Sequence, residues 1–136
     1  MAHVSIEKDL ETYLLTQTSV TDWIGTKLYY TTVPDALPEN EAYPYIVYFT
    51  VFSNGELQYL GTRSSETLVQ FSVFHTHPPN GLTLSNAVFD ALSAYHGTPG
   101  SKKIYYISAN GPRVLRDPDY DNIYQFIVDV TVNYER

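Results

Sequence analysis

Ile123-Tyr124-Gln125-Phe126-Ile127-Val128-Asp129-Val130-Thr131-Val132-Asn133-Tyr134 is the stretch whose reading decides the fold. Tyr124, Phe126, Val128, Val130, Val132 and Tyr134 share one parity, and Gln125, Asp129, Thr131 and Asn133 share the other. Ile123 and Ile127 are its apolar exceptions. Side chains alternate faces along a strand, so this period predicts a long strand with one buried and one mostly wet face. A sheet with one greasy face needs a layer of helices or a second sheet to cover it.

The rest of the chain offers helices for that purpose. Ser5 to Gln17 places Ile6, Leu10, Tyr13 and Leu14 on one helical face, with Ser5 as N-cap and Glu7 and Asp9 in the first turn. Val20 to Ile24 adds a short turn that Gly25 ends, with Trp23 and Ile24 as buried anchors. Leu84, Ala87, Val88, Ala91, Leu92 and Tyr95 recur at i, i+3, i+4. They predict a second helix, capped by Asn80 or Thr83 and ended by Gly97.

Between and after these lie the other strands. Lys27 to Val33 favours strand until Pro34 stops it, and the Pro34–Pro44 loop gathers Asp35, Glu39 and Glu41. Tyr45 to Phe52 is apolar on both parities, as in a strand covered on both sides or facing a partner. Ser53-Asn54-Gly55 predicts a turn, and Glu56 to Ser65 a long hairpin tip or arm that exposes Leu57, Tyr59 and Leu60 beside Arg63. Glu66 to His75 alternates again, and Pro78-Pro79-Asn80-Gly81 breaks it. Lys102 to Ser108 and Arg113 to Arg116 read as strand on either side of a turn or bulge at Asn110-Gly111-Pro112. The order α, β, β, β, α, β, β predicts one α+β domain over residues 1–136. It is a mainly antiparallel sheet of four to five strands, with two helices on one face and a long β-hairpin arm.

Composition narrows the function classes. With no cysteine among 136 residues, disulfides and zinc–thiolate sites are excluded. A net charge of −7 argues against a protein that wraps nucleic acid. The start of the chain has no signal-peptide pattern, and no apolar run approaches the about 20 residues that span a bilayer. These features predict a cytoplasmic protein that has no membrane contact. Lys102, Lys103, Arg113 and Arg116 are half of the 8 Lys and Arg and lie close together in sequence, whereas the acids are spread widely. Such unevenness suits head-to-tail contacts between copies, and equally a solvated surface. The 13 Tyr, against one Trp and one Met, fit an interface or the edges of a β-rich core.

Motifs for chemistry are weak. His75-Thr76-His77 has a chelating spacing, but no third ligand is nominated. Asp117-Pro118-Asp119-Tyr120-Asp121 imitates half a calcium loop, then fails at Asn122 and Val128. No phosphate-cradling glycine motif, nucleophile elbow or nucleotide fingerprint is present. The expectation is no catalytic residue, no cofactor and no metal.

Taken in order, several stretches resemble the tail-completion (tail-terminator) family of long-tailed, siphovirus-type bacteriophages and prophages. They are the Ile6–Leu15 helix, Gly25-Thr26-Lys27-Leu28-Tyr29 and Pro44-Tyr45-Ile46-Val47-Tyr48. The strand and amphipathic helix from Val69 to Tyr95 follow, then Asp119-Tyr120-Asp121 leading into the final strand. The Ser53–Ser65 arm and the Asn110-Gly111-Pro112 interruption depart from the pattern.

The resemblance implies a non-enzymatic virion protein, made in the host cytoplasm and built into the head-proximal end of the tail. It would form a ring, commonly a hexamer, that ends tube polymerisation and offers a surface for head–tail joining. The implied partners are further copies, the major tail-tube protein and the head–tail connector or neck protein, with no sequence-specific nucleic-acid binding. Leu57, Tyr59, Leu60, Arg63, Lys102, Lys103, Arg113 and Arg116 are the expected contact residues. The wet face of the last strand would line the lumen or a subunit contact. Two alternatives are a head–tail connector or stopper, and, more distantly, a small metal-binding or enzymatic domain using His75 and His77.

Overall fold

A computed structural model describes residues 6–30, 44–59, 62–100, 102–116 and 123–135. Three helices and five strands follow one another as α1 (Ile6–Leu14), α2 (Thr18–Ile24), β1 (Leu28–Tyr30), β2 (Tyr45–Tyr59), β3 (Thr62–His75), α3 (Pro78–Leu92), β4 (Ile104–Arg116) and β5 (Tyr124–Glu135). The strands form one sheet in the order β1-β2-β3-β5-β4. Every pairing is antiparallel except β1 with β2, so the α+β sheet is mixed, with a short parallel edge. The Ser5 cap and the Pro34–Tyr43 part of the acidic loop lie outside the described residues, as does Asp117–Asn122.

β5 behaves as its period predicts. Phe126, Val128, Val130 and Val132 are at most 2% exposed. They register against Val73, Phe71, Val69 and Thr67 of β3. Over that face pack Ile6, Leu10 and Leu14 of α1, Val20 and Ile24 of α2, and Leu84, Val88 and Leu92 of α3, in one continuous core. The other face has no helix among the described residues, yet Ile127 is 4% exposed. It lies in a row with Val47, Ser72 and Arg113 across the sheet.

Several local expectations are corrected. The first helix ends at Leu14, not Gln17, and Val20–Ile24 belongs to a third helix. Thr16 and Gln17 close tight bonds to the Tyr13 and Leu14 carbonyls, and the Thr16 hydroxyl takes the Tyr13 carbonyl as well, at 2.6 Å. Gly25, with φ +62°, then ends α2.

Pro78 and Pro79 do not precede α3 but begin it, because the first helical positions need no N–H. α3 stops at Leu92, well before Gly97. Ala94 takes the positive φ (+61°), and its N–H is held by the Ile107 carbonyl of β4 at 2.9 Å.

Ser53-Asn54-Gly55 does not turn the chain. β2 runs through it and absorbs two register shifts, between Thr50 and Phe52 and between Asn54 and Glu56. The predicted hairpin arm exists, but most of it belongs to the sheet. Ser64 and Ser65 still pair with Glu135 and Tyr134 of β5, so only the Gln58–Arg63 tip passes the end of β5.

Of the two readings of Asn110-Gly111-Pro112, turn or bulge, the second holds. The Asn110-Gly111-Pro112 interruption is a bulge within one strand, β4, where a cis Gly111–Pro112 bond sits at the register shift between Asn110 and Arg113.

Candidate interaction surfaces

The seven nominated contact residues whose backbone is described fall into two groups at opposite ends of the sheet. Ile104 pairs with Tyr134 and Arg116 with Tyr124, so β4 runs along ten residue steps of β5, about 33 Å. Lys102 and Lys103 stand just before Ile104, at the end where the β2–β3 hairpin closes; Arg113 and Arg116 lie at the far end. The cluster that looks compact in sequence is therefore divided. Leu57, Tyr59 and Arg63 belong to the paired strands of the tip, and their side chains lie outside the description, as does that of Arg116. Leu60 lies outside the described residues.

Each described cation is held by the fold in a different way. The backbone N–H of Lys102 donates to the Asp9 carboxylate at 2.8 Å, although Asp9 is only 2% exposed. This buried acceptor fixes the approach to β4 onto α1, a role that its sequence position in a first helical turn does not suggest. Gly100 passes so close to the same carboxylate that a Cβ there would strike it. The Lys103 ammonium lies 5.7 Å from the Tyr105 ring centroid. Arg113 donates to Asp129 at 3.0 Å on the helix-free face, with the arginine side chain 58% exposed.

The helix-free face is itself divided. Towards β1 and β2 it is aromatic and aliphatic: Tyr45 stacks on Phe74 at 5.1 Å, and Tyr29 lies 6.3 Å from Tyr45. Towards β5 and β4 it is polar. Gln70 and Gln125 both donate to the Ser72 hydroxyl, at 3.4 and 3.0 Å, next to the Arg113–Asp129 pair. The two-sided greasiness of Tyr45–Phe52 therefore reflects one face on the core and one facing outwards without a helical cover. A core tyrosine ties the two layers: Tyr48, 1% exposed, donates to Glu11 at 3.1 Å. Burial and the neighbouring Glu11 carboxylate raise its pKa far above the usual phenol value.

The histidine pair gives little chemistry. His75 is 9% exposed, and its Nδ1 accepts the His77 backbone N–H at 3.2 Å, so that lone pair is engaged at the junction of β3 and α3. Burial chiefly, then the His77 and Lys27 charges, lower its pKa. The rings are 6.4 Å apart, and no group of three potential ligands occurs among the described residues. Between α2 and α3 runs an open groove of about 520 Å³ lined by Gln17, Ser19, Thr83, Asn86 and Asp90 with the small Ala87 and Ala91. It brings together no acid–base pair or nucleophile. No helix among the described residues is long and apolar enough to cross a membrane.

No protein-family model matches the chain. No curated protein matches it significantly in sequence. Solved structures do match, 33 chains in all. One is a chain from the virion of a native gene transfer agent particle. It superposes with a TM-score of 0.71 at 13% identity, covering 98% of this chain and 100% of that one. The likeness establishes a shared fold from end to end.

Proposed function

We propose that this protein is a structural component of a phage-like virion, acting at the head-proximal end of the tail. One observation carries the reading: 98% of this chain shares the fold of a chain from the virion of a gene transfer agent particle, which it covers in full. The order of motifs that resembles the tail-completion family supports the finer assignment. In that role copies of the chain form a ring, of about six, on the last layer of the tail tube. The ring ends tube polymerisation and offers its outer surface to the head–tail connector. The protein acts by binding and not by catalysis, and its partners are further copies, the tube protein and the connector.

Electron microscopy of lysates lacking this gene tests the assignment. Over-long tails without heads are the expected result. Filled heads beside tails of normal length would assign the protein to the connector or stopper instead, and normal virions would remove it from assembly altogether.

A further inference from the structure

Asparagine followed by glycine is a labile dipeptide, because glycine has no Cβ to keep its nitrogen away from the preceding carboxamide. The chain contains three such pairs, at residues 54–55, 80–81 and 110–111. The Asn54 side chain lies outside the description, and the fold treats the other two pairs in opposite ways.

Asn80–Gly81 belongs to the first turn of α3. The Gly81 N–H donates to the His77 carbonyl at 2.9 Å, and Gly81 is buried so close to the Phe126 ring that a Cβ would strike it. Its nitrogen is committed to the helix, and the ring leaves the glycine no room to turn.

Asn110–Gly111 lies where β4 leaves its register. Asn110 pairs with Asp129 and Arg113 with Ile127, so neither Gly111 nor Pro112 has a register partner on β5. Pro112 has no N–H to add to the ladder. Asn110, Gly111 and Arg113 are all exposed, on an outer strand of the sheet. The glycine is itself required: its φ is +113°, and a Cβ would stand 2.6 Å from the Ile127 carbonyl oxygen. The fold thus demands, directly after an exposed asparagine, the residue that opens its carboxamide to attack.

We propose that Asn110–Gly111 is a self-modifying site of the folded protein. The Gly111 nitrogen gives its proton to solvent hydroxide and bonds to the carbonyl carbon of the Asn110 side chain. The side-chain amide takes a proton from water and leaves as ammonia, and a cyclic succinimide remains. Water then opens the ring. Opening at the side-chain carbonyl restores the main chain with an aspartate at 110. Opening at the main-chain carbonyl leaves isoaspartate, which lengthens the backbone of β4 by one carbon. In sum one water is consumed and one ammonia released, with no change of oxidation state. Asn110 registers against Asp129, which already holds Arg113 at 3.0 Å. The new carboxylate therefore stands opposite an existing one, an unfavourable cross-strand pair. The reaction does not depend on the virion reading.

Trypsin separates the three pairs, since cleavage at Arg63, Lys102, Lys103 and Arg113 leaves each in its own fragment. The full-length folded chain is aged in mildly alkaline buffer and digested. Mass spectrometry then follows the gain that accompanies conversion of an amide to an acid and locates it by sequencing each fragment. In fragment 104–113, where Asn110 is the only asparagine, conversion is expected at least about tenfold faster than at Asn80. In denaturant, where neither backbone is held, the two rates are expected to converge. Asn110→Ser is expected to keep the thermal midpoint and to show no mass gain in that fragment. If Asn110 and Asn80 convert equally fast in the folded chain, or if fragment 104–113 gains mass only in denaturant, the proposal is overturned.

Discussion

β5 and β4 are hydrogen-bonded neighbours of nearly equal length, yet they obey different rules. β5 is the inner strand: it pairs on both sides without a register shift against β3, and its core-facing valines are completely buried. β4 is the outer strand. It carries two register shifts, a proline without an N–H, and exposed Tyr106, Val114 and Leu115. Bulges, proline and cations are the features by which a sheet edge avoids indiscriminate pairing. An inner strand spends its side chains on the fold, whereas the edge strand leaves several of them at the surface.

Substitutions sharpen that contrast. The largest effect is expected in the inner rows: Phe71→Ala, opposite Val128 and stacked on Tyr48 at 5.4 Å, should lower stability by about 3–5 kcal/mol in denaturant unfolding. Next comes the anchor between the helices and the start of β4. Asp9→Ala leaves the Lys102 N–H without its acceptor and should cost about 1–3 kcal/mol, together with faster amide exchange at Lys102. A preserved midpoint in Asp9→Ala would show that β4 does not depend on α1 for its position.

A smaller, pH-dependent effect belongs to His75. Its folded pKa lies below the unfolded value of 6.5, so the unfolded chain takes up the proton first. Its contribution is complete above that value and is lost as the pH falls through the folded pKa. Between about pH 7 and about pH 5 the thermal midpoint should therefore fall more steeply in the parent than in His75→Gln. The smallest effect is expected at the edge itself. Val114→Ser with Leu115→Ser should change monomer stability by no more than about 0.5 kcal/mol each. Denaturant unfolding of the double variant beside the parent reads this directly.

How much of this was visible in the sequence differs between the same regions. The period of β5, the apolar stripes of α1 and α3 and the alternation of β3 each come from side chains that share one environment, so local pattern was enough. The hairpin was legible too, but not how little of it protrudes, because Ser53-Asn54-Gly55 carries turn residues that the pairing with β3 overrides with bulges. Pro78-Pro79 read as a breaker because proline opens helices as readily as it ends strands. Gly81 showed no signal at all: only the Phe126 ring lying against it explains a side chain's absence there.

The contact surfaces divide along the same line. The residue types and charges of the edges could be read along the chain. Their distribution could not, since Lys103 and Arg113 look close until eight residue steps of β5, about 26 Å, separate them.

By itself the sequence determined an α+β chain with a one-sided sheet covered by helices, because hydrophobic period is a local property that burial must satisfy. Only the tertiary structure decided the strand order, the parallel β1 edge and the separation of Lys102 and Lys103 from Arg113 along β4. Those follow from which strands pair, a choice made by contacts far apart in the chain that no local pattern encodes.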